Sequence, residues 1–220
     1  MKQIQVFLII ILIANIGFAQ NSNYVKYVNS FKVEKTNTIL KLGKIVQISN
    51  QMTKEEALAF VYNGDSSKLY CHQKIFNMET EKVEGISTDL YLPNKCMQLD
   101  MGNYFLIAYT SYQCKNPDEM LKVLLTLSII NKEYKSMNDL LVYKRNENES
   151  EITGLLNPLN GKIFVIGNIM NESTKQAIIY KINAVSLKFE PIKANDNVII
   201  DTDDLYQILD MLGWKEIFMN

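Results

Sequence analysis

His72 is the only histidine in the 220-residue chain. Any Ser–His–Asp or Cys–His nucleophilic mechanism therefore has to run through it. Its neighbour Cys71 cannot serve it as a nucleophile from a regular strand, because successive side chains point to opposite faces. Cys96 or Cys114 could still approach in space. The plainer reading of His72 is a surface or half-buried strand residue, and no G-x-S-x-G elbow accompanies it. No catalytic residue is assigned on this basis.

The three cysteines, Cys71, Cys96 and Cys114, form no C-x-x-C, so zinc or thioredoxin-type chemistry has no footing. In an oxidising compartment an odd count suggests one disulfide and one leftover thiol. Asp100 and Tyr104 flank Met101-Gly102-Asn103, which reads as a hairpin loop. Pairing 100 with 104 would set Cys96 opposite Ala108 and place Cys114 about 20 Å further along the strand. A disulfide needs Cα atoms within about 7 Å. Cys71 is then the shared partner, bonded to Cys96 or to Cys114; the alternative is three small buried thiols.

Carboxylates gather at Asp196, Asp201, Asp203 and Asp204, and again at Glu79, Glu81 and Glu84. Calcium takes six to eight oxygens, but the EF-hand order is missing, and acids in the first turn of a helix are explained by capping and the helix dipole. The glutamates read as a solvated loop, since a glycosidase pair must flank a cleft. Gly161-Lys162 lacks the rest of a phosphate loop. No metal or cofactor is expected. Asn148-Glu149-Ser150 and Asn171-Glu172-Ser173 match the glycosylation sequon and read as exposed turns.

Tyrosines are the richest class. Tyr104, Tyr109, Tyr112, Tyr134, Tyr143 and Tyr180 fall on or beside strand-like segments. Aromatics exposed on a rigid sheet make good contact surfaces, and Tyr104, Tyr109, Tyr112 and Tyr143 are the candidates. The plainer reading is that tyrosine suits half-buried strand faces. Trp214 is expected to anchor a terminal helix.

The elements that must carry these residues read mostly as strands. Lys44–Ile48, Lys68 onward, Ile86–Leu92, Tyr104–Tyr112, Asp139–Lys144, Glu151–Leu156, Lys162–Asn168, Lys175–Ile182, Leu187–Ile192 and Val198–Ile200 are strand-like. Asn116-Pro117-Asp118-Glu119 resembles a helix start. Yet Leu121, Val123, Leu125, Leu127 and Ile129 alternate at period two, which favours a strand over Lys122–Ile130. Thr53 and Glu56 form a capping box ahead of Ala57, Leu58, Phe60 and Val61, with Gly64 as a stop. A second helix carries Leu205, Ile208, Leu209 and Leu212, capped by Asp201 or Thr202 and ended by Gly213. The fold expected is mainly β: an antiparallel meander, as a sandwich, barrel or propeller-like sheet, with two short helices.

Residues 1–19 read as a cleavable secretory signal helix. Lys2 gives a positive start, Val6–Ala14 is apolar, and Gly17 and Ala19 suit the −3 and −1 positions. The run is shorter than the roughly 20 residues of a membrane span, and no cysteine sits at the cleavage point for lipidation. Residues 20–220 are then one β-rich domain, long enough to bury a core. With 23 basic and 24 acidic residues, there is no counterion-release footprint for nucleic acid and no basic run for a membrane surface.

The chain resembles small exported proteins of the Bacteroidota type. The resemblance rests on Phe18-Ala19-Gln20, Phe31-Lys32-Val33, the Thr53 helix and the hairpin around Ile130-Asn131-Lys132-Glu133-Tyr134. It implies export and a β-rich fold, and brings no activity. The expectation is an exported, periplasmic or extracellular, non-enzymatic binding protein with a protein partner, such as an inhibitor or immunity protein against a secreted enzyme or toxin. A hydrolase with a dispersed site and a structural envelope protein are the alternatives.

Overall fold

Apolar-rich segments pair into one ten-stranded antiparallel sheet. The computed structural model describes residues 23–34, 37–46, 50–114, 121–146, 149–168 and 175–220. Residues 1–19, read above as a signal segment, Asn116–Glu119 and the sequon asparagines Asn148 and Asn171 lie outside these residues. Strands β5 (Asn94–Asp100), β6 (Tyr104–Gln113), β7 (Lys122–Asn131), β8 (Ser136–Asn146), β9 (Glu149–Asn157), β10 (Lys162–Asn168), β11 (Lys175–Asn183) and β12 (Lys188–Val198) each pair with the next. The short β2 (Asn50–Gln51) extends the sheet beyond β5, while β1 (Leu40–Lys41) pairs with β9. β3 (Tyr70–Asn77) and β4 (Lys82–Leu90) form a separate two-stranded sheet.

The large sheet is open, with β2 and β12 at its ends, but it curls strongly. The Phe189 amide on β12 donates to Asn138 Oδ1 on β8 at 2.9 Å. β8 and β9 pair only near their hairpin end, from Lys144↔Ile152 to Asn146↔Glu149. Beyond that point β1 takes the edge of β9 at Leu155 and Leu156. The helical turn α2 (Leu42–Ile45) follows β1 and buries Leu42 and Ile45 in the gap.

Both faces of the sheet are covered, so β6 is buried on both parities from Tyr104 to Ser111. On β6, Tyr104, Leu106 and Ala108 point into the central core with Leu125, Leu127 and Leu156. Phe105, Ile107 and Tyr109, of opposite parity, pack against Tyr27, Val28 and Phe31 from the helical residues 23–29, here α1, and the turn after it. On the other half, Leu155, Phe164, Ile166 and Ile179 are covered by α4 (Leu205–Met211) and α5 (Lys215–Met219). Each fully buried Leu or Phe of this kind is worth about 1.5–3 kcal/mol of transfer free energy.

The mainly β meander agrees with the sequence reading, and the strand over Lys122–Ile130 is β7. The Thr53 capping box also forms: the Glu56 amide donates to Thr53 Oγ1 at 3.2 Å, and the Thr53 amide to Glu56 Oε2 at 2.9 Å. The helix it starts, α3 (Lys54–Glu56), widens into a π-helical turn over Ala57–Val61. Gly64 ends it at φ +80°.

Other details differ. Lys44–Ile48 is not a strand at its start, because Leu42 and Ile45 need the helical three-residue spacing to reach the core together. Lys188–Ile192 and Val198 belong to one strand, β12, which leaves Ile199 and Ile200 outside; it is an edge strand with a register shift beside Pro191. Asp204, and not Asp201 or Thr202, is the N-cap of α4; it accepts from the Tyr206 amide at 3.0 Å. Thr202 Oγ1 instead accepts from the Asp204 amide. Helices beyond the expected pair appear as α1, α2 and α5. The β5–β6 hairpin turns more tightly than expected, with Met101 N–H donating to Tyr104 O at 3.0 Å. Its register runs Asp100↔Phe105, Leu99↔Leu106 and Met97↔Ala108, then shifts to Lys95↔Tyr109. Cys96 therefore sits in a bulge and does not face Ala108.

Candidate functional site

The β3–β4 hairpin stands apart from the main sheet as an arm. Its base is held by the Ala57, Tyr62 and Leu69 cluster and by the Tyr91 amide donating to Leu69 O at 2.8 Å. Asp65 accepts from the Ser67 amide and starts the 3₁₀ turn Ser66–Leu69 that leads into β3. Along the arm the register sets Tyr70 opposite Leu90, Lys74 opposite Ile86 and Phe76 opposite Val83. Strand alternation puts Tyr70, His72, Lys74 and Phe76 on one face with Ile86, Thr88 and Leu90. Phe76 is 52% exposed and Ile86 59%, and Ile75, Met78, Val83 and Leu90 are exposed as well.

Beside the arm's base lies an open pocket of about 410 Å³. Its walls come from the π-helical turn (Val61 and Tyr62), the arm (Lys68 and Tyr70) and the end of β6 (Tyr112 and Cys114). Tyr70 Oη accepts from Lys54 Nζ at 3.2 Å, and Tyr112 Oη accepts from Asn94 Nδ2 at 3.0 Å. The Tyr91 and Tyr112 rings lie 5.3 Å apart. Burial raises the Tyr62 phenol above its ordinary pKa, an effect eased by the Tyr112 backbone.

The four candidate tyrosines are not a shared surface. Tyr104, Tyr109 and Tyr143 are only 4%, 8% and 6% exposed. Tyr104 and Tyr143 fill the central core, and Tyr109 packs under α1 while its edge reaches the pocket. Burial thus corrects their reading as exposed contacts. Tyr112 alone is half-exposed, at the pocket mouth. Trp214 is buried between α4 and α5, as an anchor.

His72 is exposed on the arm, with Nδ1 2.8 Å from Thr88 Oγ1. The structure brings together Cys71, which is buried, and Cys114, which is half-exposed. Cys114 Sγ donates to the carbonyl of His72, the residue next to Cys71, at 3.8 Å. Burial raises the Cys71 pKa, reinforced by the neighbouring Cys114 thiol and by the Asp89 carboxylate. Cys96 lies in the central core, where burial pushes its thiol up to about 11. All three are free thiols here.

The acidic stretches do not converge. Asp196 accepts from Gln176 Nε2 at 2.6 Å, and Asp204 is spent on its helix cap. Among the described residues no group of three or more His, Cys, Asp or Glu is placed to hold a metal ion. Lys162, of the Gly161-Lys162 pair, donates to Ile217 O at 2.6 Å. No helix among the described residues is long and apolar enough to cross a membrane. The arm was the feature least visible in the sequence. Its only signal was a pair of strand-like runs whose apolar residues, such as Phe76 and Ile86, had no obvious third strand to cover them.

Comparison of the chain with protein-family models, curated proteins and solved structures finds no match in any of the three.

Proposed function

We propose that this is an exported, non-enzymatic binding protein that recognises a protein partner through the β3–β4 arm. The single observation that carries the reading is the clustering of Ile75, Phe76, Met78, Val83, Ile86 and Leu90, all exposed, on one 21-residue hairpin whose strands pair with each other alone among the described residues. Exposed apolar clusters mark interaction sites, and unpaired strand edges accept a strand from another chain. A protein with an apolar groove or a free strand edge supplies both complements. A secreted enzyme or toxin, whose cleft a hairpin can enter, is the partner class we favour, which makes the chain an inhibitor or immunity protein. Export is supported by the leader-like residues 1–19.

The test is affinity capture from the native envelope with a C-terminal tag. Wild type should retain one stoichiometric partner. Phe76→Ser with Ile86→Ser should weaken capture by more than about tenfold, the scale of losing central apolar anchors. Val185→Ser, a 94% exposed position in the β11–β12 turn, should change nothing. Equal capture by the arm variant and wild type would overturn the assignment of the arm.

A further inference from the structure

We propose that Cys71 and Cys114 are a disulfide-forming pair that locks the base of the arm to the end of β6. Three observations converge on it. Cys71 is the second residue of β3, and Cys114 directly follows β6, so a bond between them joins two different sheets. Cys114 Sγ lies 3.8 Å from the carbonyl of His72, the residue after Cys71, and the Cys114 thiol is near enough to Cys71 to help raise its pKa. Bonding needs the sulfurs to close to about 2.0 Å. Finally, the pair is asymmetric: Cys114 lines the open pocket, while Cys71 is buried behind it.

That asymmetry sets the order of events. The oxidant is a disulfide, either a low-molecular-weight disulfide or the oxidised form of an exchange protein. The Cys114 thiolate attacks one sulfur of the oxidant, its S–S bond breaks, and one thiol leaves with a proton. The Cys71 thiolate then attacks Cys114 Sγ, forming the Cys71–Cys114 bond and expelling the second thiol. The protein loses two protons and two electrons, and the oxidant gains both as two thiols. Burial holds Cys71 in the thiol form, so the second step is the slow one and quickens as pH rises. Cys96, enclosed in the central core, takes no part. The linkage does not depend on the arm's having a partner, and it would fix one wall of the pocket.

The test is a non-reducing peptide map of the full chain after exposure to glutathione disulfide, followed by acid quench and alkylation. The expected product is a Cys71–Cys114 linked peptide pair, lighter than the two thiol peptides by two hydrogens, with Cys96 alkylated only after unfolding. Cys96→Ser should leave the link intact, and Cys114→Ser should abolish it. The wild-type map decides the question even if a variant folds poorly. A stable glutathione adduct on Cys114, a link through Cys96, or three thiols still free after oxidation would each overturn the proposal.

Discussion

The Glu56 carboxylate joins two elements at once: its Oε1 accepts from Lys95 Nζ on β5 at 2.6 Å, while its Oε2 accepts from the Thr53 amide at 2.9 Å. Lys95 is 9% exposed and its ammonium also lies 6.0 Å from the centre of the Tyr27 ring. The capping box that starts α3 thus doubles as the counter-ion for a buried cation.

Removing Glu56 loses both roles. A lost cap costs about 1 kcal/mol, and a stranded, largely buried ammonium adds to that. Glu56→Ala should therefore destabilise the protein by about 2–3 kcal/mol. Lys95→Met should cost less, because it removes the charge along with its partner bond and leaves the cap. Urea midpoints for the two single variants and the double variant measure this directly. Equal costs for Glu56→Ala and Lys95→Met would mean that the stranded charge contributes nothing.

Tyr109 offers a pH test of its burial. Burial first, then the Asp139 carboxylate, raises its phenol pKa, against a hydrogen bond with Thr126, its cross-strand partner. The folded chain resists ionising this group, whereas the unfolded chain ionises it near its ordinary value of about 10. Its contribution to stability is complete below that value and is lost as pH rises through the folded pKa. Near neutrality Tyr109→Phe should cost about 1 kcal/mol for the lost hydrogen bond. Above about pH 10 the gap should close, at up to about 1.4 kcal/mol per pH unit, until the variant is the more stable. Urea midpoints of wild type and variant between neutral pH and pH 11 check this. A gap that stayed constant with pH would mean that Tyr109 ionises as freely folded as unfolded.

The same residue shows what the sequence could and could not reveal. Period-two alternation located β7, strand-like composition located β6 and β10, and the Thr53-Glu56 spacing announced its cap, because these signals are local. Which face of a strand meets water is not local. One face of the sheet encloses the central core and the other is covered by α1 on one half and by α4 and α5 on the other, so Tyr104 and Tyr109, on opposite faces of β6, are both buried. A tyrosine on such a strand carries no sign of this. The gap between β8 and β9 that receives α2 was hidden for the same reason: Leu42 and Ile45 match it only once the sheet has curled. The Cys71–Cys114 approach was legible as one of two options. The choice between them depended on where β3 lies relative to β6, and that is set by the Leu69 and Tyr62 contacts at the arm's base.

Gly154 is fixed by space. It pairs with Val165 in the β9–β10 ladder, and a Cβ there would fall inside van der Waals contact of the Phe164 carbonyl oxygen. That oxygen is backbone and cannot swing aside. Gly154→Ala should cost about 3 kcal/mol or more. Gly102 provides the contrast, at φ +84° in the β5–β6 turn with nothing within 4 Å of a Cβ. Gly102→Ala should cost only the left-handed backbone penalty, about 1–2 kcal/mol. Thermal unfolding of the two variants separates crowding from conformation. A smaller loss at Gly154 than at Gly102 would show that β9 and β10 move apart easily.

The terminal helix α5 is five residues long, too short to persist without tertiary support. Its last carbonyls are held by the β9–β10 turn. Asn157 Nδ2 donates to Phe218 O at 3.3 Å, Asn160 Nδ2 to Phe218 O at 3.0 Å and to Met219 O at 3.2 Å, and Lys162 Nζ to Ile217 O. Donors at a helix C-terminus satisfy its orphan carbonyls, and the lysine charge also complements the dipole. Asn157 is buried and its Oδ1 accepts from the Leu159 amide, so it orders the turn as well. Asn157→Ala should cost about 1–2 kcal/mol, since it removes both hydrogen bonds of a buried side chain while Phe218 O keeps Asn160 as a donor. Its first effect should be local: hydrogen exchange at residues 215–220 should quicken before the central strands respond. The exposed arm, far from this turn in the chain and bound to a different cluster, should be unchanged. Uniform quickening across the sheet would mean instead that the turn and α5 unfold only with the whole molecule, and that the clamp adds to global stability without giving the helix a transition of its own.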